Sequence, residues 1–273
     1  MTTTFLPHKS RQDMQQTYNK QHPLRVFTAF SGIDFQCQAL DRLVKKHAPF
    51  DYTLVGWSEI DKYAIQMHNI LYPQYKDENY GDIQKVDWAS VPDFDLLTWS
   101  SPCQDWSLAG LQMGGAEGSG TRSSLIWCIK EAIRIKRPKY IILENVKNLV
   151  GKKFRPYFDH WLELLESYGY QNFWKVINAA DCGVPQSRER VFCVSILKQD
   201  GDPTFEFPKP IPLTESIFDR LDPRDTIAEK YWLSEEAVKY YERVDADKSH
   251  NHNFTIKGGR HRFHNQNQAR NKG

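Results

Sequence analysis

Over the first two hundred residues, short apolar runs of β-forming residues alternate with stretches whose apolar positions recur every three or four residues. "LRVFTAF" is followed by "FQCQALDRLVKKH", "YTLVGWSE" by "KYAIQMHNILY", and "FDLLTWS", after a long loop, by "SSLIWCIKEAIRI". "KYIILENV" then precedes the amphipathic "YFDHWLELLESYG", and the strand-like "NFWKVINAA" and "RVFCVSIL" complete the series. Strands separated by single helices predict an α/β fold built on a doubly wound, mainly parallel sheet, in which ligands sit outside the carboxyl ends of the strands. Residues just after each strand are therefore the functional candidates. After about residue 197 prolines and short polar segments replace the alternation, and "LSEEAVKYYERV" is the last helical stretch. The end, "NHNFTIKGGRHRFHNQNQARNKG", has too little apolar material for a core and is expected to be poorly ordered.

Composition narrows the class. At 273 residues, 40% hydrophobic and 26% charged, the chain can bury a substantial core. It has no apolar run of membrane-spanning length, and the polar start "MTTTFLPHKSRQDMQQTYNK" lacks a signal-peptide core, so a soluble, cytoplasmic protein of bacterial or phage type is expected. Five cysteines without a C-x-x-C pair argue for reduced thiols and against a disulfide frame or zinc ribbon, and no metal site is read. A net charge of +2 permits nucleic-acid binding without demanding it.

The strand ends carry the candidate chemistry. In "FSGID", residues 30–34, Gly32 allows a tight turn that exposes amides at the start of a helix to a ligand; an ordinary strand-to-helix turn is the competing reading. In "WSEID", Glu59 is placed to accept both hydroxyls of a ribose, while Asp61 reads as a helix cap. "YGDIQKVD" offers Asp82 beside apolar Ile83, suited to the amino group and ring face of an adenine. "WSSPCQDWS" holds Cys103, which in isolation reads as an inert small hydrophobe. Its neighbours change that reading. "ILENV" brings Glu144 to the same edge, and "GVPQSRERVF" brings Arg188 and Arg190. A thiolate, a carboxyl group and guanidinium groups together form a nucleophile, an acid and an anion-binding element. A helix-cap carboxylate and a solvated charge run remain the alternatives for Glu144 and the arginines.

Taken in order, "FSGI", "SEID", "GDI", "PCQ", "ENV" and "QSRER" resemble the motifs of the cytosine-5 DNA methyltransferases over residues 26–197. The resemblance implies a Rossmann-like class I methyltransferase fold and S-adenosyl-L-methionine as cofactor. Carried over, the cofactor would be bound by Phe30, Ser31, Gly32, Ile33, Glu59, Ile60, Asp82, Ile83, Ser101 and Pro102. Cys103 would be the nucleophile, Glu144 the acid, and Arg188 and Arg190 the later arginine motif; Gln104, Ser107, Arg122 and Gln186 would touch DNA. The implied partner is duplex DNA with a flipped cytosine, in the setting of a restriction-modification system. The glycine-rich "SLAGLQMGGAEGSGTR" would be a closing lid, or else merely a disordered loop.

On this reading residues 1–23 are an N-terminal extension, 24–200 the cofactor-binding catalytic domain, and 201–273 a linker with the partial start of a target-recognition region. Two departures from the family pattern stand out. Asp34 occupies the place of the loop's usual second glycine, and the closing Gly-Asn segment has no counterpart, since the chain has no Gly-Asn dipeptide. The C-terminal extension is thus expected to be incomplete, as in a truncated chain, one subunit of a split enzyme with a partner supplying the remainder, or a non-catalytic DNA- or cofactor-binding remnant. Cytosine methylation of RNA is the rival activity.

Overall fold

The computed structural model describes residues 18–102, 122–199 and 201–246. Among them six strands form one sheet: β1 (Leu24–Ala29), β2 (Tyr52–Ser58), β3 (Leu96–Trp99), β4 (Tyr140–Val146), β5 (Tyr170–Asn178) and β6 (Glu189–Leu197), in the order β2-β1-β3-β4-β6-β5. Neighbours from β2 to β4 pair in parallel, and β6 runs antiparallel to β4. Helices α1 (Phe35–Lys46), α2 (Lys62–Leu71), α3 (Ile129–Lys136) and α4 (Arg155–Ser167) lie between the strands in sequence. The architecture is the expected α/β fold.

Side-chain alternation along the strands builds a core on each face of the sheet. Leu24 and Val26 of β1 and Leu96 of β3 pack with Cys37 and Leu40 of α1. Phe27 and Ala29, with Leu97 and Trp99, face the opposite way and join Ile129 and Ile133 of α3 and Phe158 and Trp161 of α4. The periodicity over 123–135 predicts one continuous helix, but the chain makes a 3-10 turn over Arg122–Cys128 and becomes α-helical only at Ile129. Ile126, Trp127 and Ile129 are all buried, so packing on the core, with no polar face to fix a 3.6-residue period, decides the local geometry.

The described parts of the chain divide into two units, Met1–Val176 with Arg190–Phe207, and Ile177–Glu189 with Pro208–Gly273. Within the second, the turn Ala179–Asp181 leads to Cys182, which bridges to Ile211, and a series of 3-10 turns precedes helix α5 (Glu235–Ala246). Ser234 caps α5 by accepting a hydrogen bond from the Ala237 amide. No helix among the described residues is long and apolar enough to cross a membrane.

One glycine is dictated by packing. The β1–β2 register shifts between Val26 and Phe27, which sets Phe27 opposite Gly56. A Cβ at Gly56 would lie 2.7 Å from the Phe27 ring and 2.8 Å from the Tyr80 ring. Phe27 cannot retreat, because Trp88 and Phe94 hold it at ring-centroid distances of 5.0 and 5.4 Å. Gly56→Ala is therefore expected to destabilise the protein by about 1–3 kcal/mol, read as a lower urea midpoint at unchanged m-value; an unchanged midpoint contradicts this packing argument.

Candidate active site

The parallel register brings the strand ends level. Ala29, the last residue of β1, pairs with Ser58 and with Trp99, and Trp99 pairs with Leu143. The residues that follow, Phe30, Glu59, Ser101 and Glu144, consequently emerge along one edge of the sheet.

At the β1 end the chain turns through left-handed conformations at Phe30 (φ 53°), Gly32 (φ 57°) and Asp34 (φ 64°). The Ser31 amide donates to the Ser58 carbonyl at 3.1 Å, and the Gly32 amide donates to Glu59 Oε2 at 2.9 Å. The other carboxylate oxygen of Glu59 accepts from the amides of Ile60 and Asp61 at 2.7 and 2.8 Å. Glu59 thus faces the loop with a fixed orientation, and a carboxylate has lone pairs left for further donors. Among the described residues, no atom beyond the adjoining residues lies within 4 Å of a Cβ built on Gly32 or on Gly81, so both turns leave room for a ligand against the backbone. Ser31 is buried and Ile33 half-buried, whereas the Ile60 side chain stands 71% exposed at the strand end. Asp61 caps α2, accepting from the Tyr63 and Ala64 amides at 2.9 Å.

A second segment is tied to this edge by Asn79. Its Oδ1 accepts from the amides of Glu59 and Gly81 at 3.2 and 2.9 Å, and its Nδ2 donates to the Glu59 carbonyl at 3.2 Å. Ser58 Oγ adds a 2.6 Å bond to the Gly81 carbonyl. Asp82 follows, accepting from the Gln84 amide at 3.1 Å, with Lys85 Nζ 3.8 Å away. Ile83 points into the core and is 5% exposed, so its side chain is largely spent on packing.

Further along the edge, Asn145 Nδ2 lies 3.3 Å from both the carbonyl and the hydroxyl oxygen of buried Ser101, fixing the backbone that leads into half-buried Pro102. Glu144, one residue earlier on β4, forms an ion pair with Arg190, Nε to Oε1 at 3.1 Å. Arg190 reaches it from β6, where the antiparallel register sets it opposite Val146. Cys103, Gln104 and Ser107 lie outside the described residues, and Arg122 is the first residue of the 3-10 turn before α3. Gln186 and Arg188 belong to the second unit. There Asn178 Oδ1 accepts from the Arg188 and Ala180 amides at 2.9 and 3.2 Å, and the Arg188 side chain is exposed.

Three other cysteines are poor nucleophiles. Burial pushes the thiol of Cys193 up to about 12, and raises those of Cys37 and Cys128. Cys182 is exposed within the second unit. Sequence reasoning passed over Asn79, Asn145 and Ser58, whose contributions are hydrogen bonds to segments 20 to 44 residues away. Motifs mark two of these positions, Asn145 inside "ENV" and Ser58 at the start of "SEID", without showing what either side chain holds.

Comparison with known proteins follows this geometry. A family profile described as C-5 cytosine-specific DNA methylase matches residues 24–272. The type II methyltransferase M2.ScrFI of Lactococcus lactis subsp. cremoris is 45% identical over 199 residues, which is 72% of this chain and 54% of that protein. The type II methyltransferase M.NlaX of Neisseria lactamica is 37% identical over 207 residues, 76% of this chain and 63% of that protein. The chain thus spans 54% and 63% of the length of these two relatives. Among solved structures, the S. pombe Dnmt2 methyltransferase superposes with a TM-score of 0.60 at 19% identity, over 81% of this chain and 66% of that one, a likeness of fold alone.

Asn79→Ala removes the bonds that join the β2 end to the turn at Gly81. It is expected to cost about 1–3 kcal/mol in chemical unfolding and to speed hydrogen exchange at the Glu59 and Gly81 amides. Unchanged exchange at both amides contradicts the role given to Asn79.

Proposed function

Because the chain belongs to the C-5 cytosine-specific DNA methylase family, we propose that it transfers a methyl group from S-adenosylmethionine to carbon 5 of cytosine in DNA, through a covalent adduct with Cys103. The observation that supports this most is the shared sheet edge: the Gly32 amide and Glu59 carboxylate near one end, the Glu144–Arg190 pair further along, and the backbone leading to Pro102, the residue before Cys103 in sequence, between them. Glu59 suits the ribose hydroxyls, the open faces of Gly32 and Gly81 admit a ligand against the backbone, and exposed Ile60 offers an apolar surface to an adenine ring. When bound there, S-adenosylmethionine supplies an electrophilic methyl group.

The residues of the chain account for the rest. Carbon 5 of cytosine is a weak nucleophile until a thiolate adds to carbon 6, so the Cys103 sulfur forms a bond to C6 and the electron pair moves toward C5 and N3. Glu144 hydrogen-bonds or protonates N3 as this charge develops, while Arg190 holds the carbonyl oxygen of the base. Their mutual ion pair orients the two groups before substrate arrives. C5 takes the methyl group as the methyl–sulfur bond breaks and its electron pair stays on sulfur, leaving S-adenosylhomocysteine; the C5 proton is then removed to a base, and the electron pair it leaves expels the Cys103 thiolate. The target carbon is inaccessible in a stacked duplex, so the cytosine is flipped out, at a cost of about a few kcal/mol. Arg188, Gln186, Gln104, Ser107 and Arg122 are the proposed contacts to DNA, and Phe30, Ser31, Ile33, Asp82, Ile83, Ser101 and Pro102 complete the proposed cofactor surroundings.

Duplex DNA carrying 5-fluorocytosine tests this directly, since fluorine cannot leave as a cation and the adduct persists. With S-adenosylmethionine present, and with neighbouring gene products added in a parallel series, wild-type protein is expected to form a denaturant-stable complex that Cys103→Ser abolishes. Absence of a complex with DNA under every condition overturns the proposal; trapping on the matched RNA alone reassigns the substrate.

A further inference from the structure

Asp34 stands where the loop would ordinarily carry glycine, and its backbone is left-handed, a conformation that costs an L-residue free energy and that Asp tolerates better than most. The side chain is fully buried, which costs more unless its oxygens are satisfied. They are. Thr28 Oγ1 on β1 donates to Oδ2 at 2.9 Å, and the Cys37 amide in the first turn of α1 donates to Oδ1 at 3.2 Å. The backbone is held as well: the Asp34 amide donates to the Ser31 carbonyl at 2.8 Å, and its own carbonyl accepts from the Gln38 amide at 3.2 Å.

The third element facing this carboxylate is α2. His68, also fully buried, sets Nε2 3.4 Å from Asp34 Oδ2. Its ring is stacked on Trp57 of β2 at 3.7 Å between centroids and 19° between planes, and Trp57 is itself anchored by its indole N–H to the Tyr75 carbonyl at 2.7 Å. Neither nitrogen of His68 makes a hydrogen bond of good geometry, so the Asp34 carboxylate is its polar counterpart in an otherwise aromatic setting. β1, α1 and α2 therefore converge on one carboxylate directly beneath the turn that presents the Gly32 amide to Glu59.

We propose that Asp34 and His68 form a positioning pair for cofactor binding, in which Asp34 replaces the freedom of a glycine with a fixed loop geometry and His68 ties that geometry to the helix following Glu59. The proposal rests on the cofactor reading of this loop. Neither residue needs to touch the ligand; both act through the Gly32 amide and the Glu59 carboxylate.

The test is equilibrium dialysis of S-adenosylmethionine against the full chain and its variants, at a temperature where circular dichroism shows each to be folded. Asp34→Gly keeps the left-handed backbone and deletes the carboxylate, and is expected to weaken binding about tenfold or more. Asp34→Asn preserves volume and removes the charge, His68→Phe is larger but keeps an aromatic ring against Trp57, and each is expected to weaken binding about threefold, with the double variant no weaker than either single one. Tyr170→Phe is the control, since it removes a buried 2.7 Å hydrogen bond to the Pro138 carbonyl, before β4 begins, and is expected to lower stability without changing affinity. Wild-type affinity in the three single variants at Asp34 and His68 overturns the pair while leaving the cofactor reading intact. Additive losses in the double variant, or an equal loss in Tyr170→Phe, overturn it as well, by reducing it to independent or general destabilisation. If Asp34→Gly does not fold, Asp34→Asn and His68→Phe decide. If the wild-type chain does not bind S-adenosylmethionine, the cofactor reading fails and the pair with it.

Discussion

Everything at the candidate site depends on the register of three parallel strand pairs. With Ala29, Ser58, Trp99 and Leu143 linked in steps across the sheet, β1, β2 and β3 end level with one another while β4 continues beside β6, so that Glu144 stands level with the ends of its neighbours. A shift of one residue in any pair would turn that strand's side chains to the other face and withdraw its contribution from the edge. The register is held by the two cores. Val26 and Leu96 are committed to one face and Phe27, Leu97 and Trp99 to the other, so slipping would bury polar groups and expose aromatic ones. The irregularity at Gly56 belongs to the same constraint, because it fits the crowded Phe27 ring without disturbing the pairing of Ala29 with Ser58.

On that edge, the groups proposed for binding and chemistry are oriented by hydrogen bonds and an ion pair from their neighbours. Asn79 fixes the backbone of Glu59, Asn145 fixes Ser101, and Arg190 pairs with Glu144. Such preorganisation matters because a group that must be ordered when ligand arrives takes that entropy from binding. Glu144 and Arg190 are partly exposed, while the neighbouring Asn145 is almost fully buried and reaches both the backbone and the side chain of Ser101.

The framework was legible in the sequence because buried parallel strands and amphipathic helices write themselves as local periodicities. The strand ends could then be named, Glu59 and Glu144 among them. The 3-10 turn before α3 was not legible, since a run as uniformly buried as Ile126, Trp127 and Ile129 carries no period of its own. Asp34 was visible only as a departure. What makes it tolerable comes from Thr28, Cys37 and His68, and the separation of 34 positions from Asp34 to His68 leaves no local trace of their meeting. Asn79 was silent for the same reason.

The central claim is that the turns after β1 and β2 and the turn at Gly81 act as one cofactor site. Hydrogen–deuterium exchange of the full chain titrated with S-adenosylmethionine measures this most directly. Peptides covering residues 30–34, 59–61 and 81–83 are expected to gain protection together, along a single saturation curve, while α4 is unchanged. Protection that is absent, confined to one of the three segments, or centred elsewhere in the chain contradicts the account.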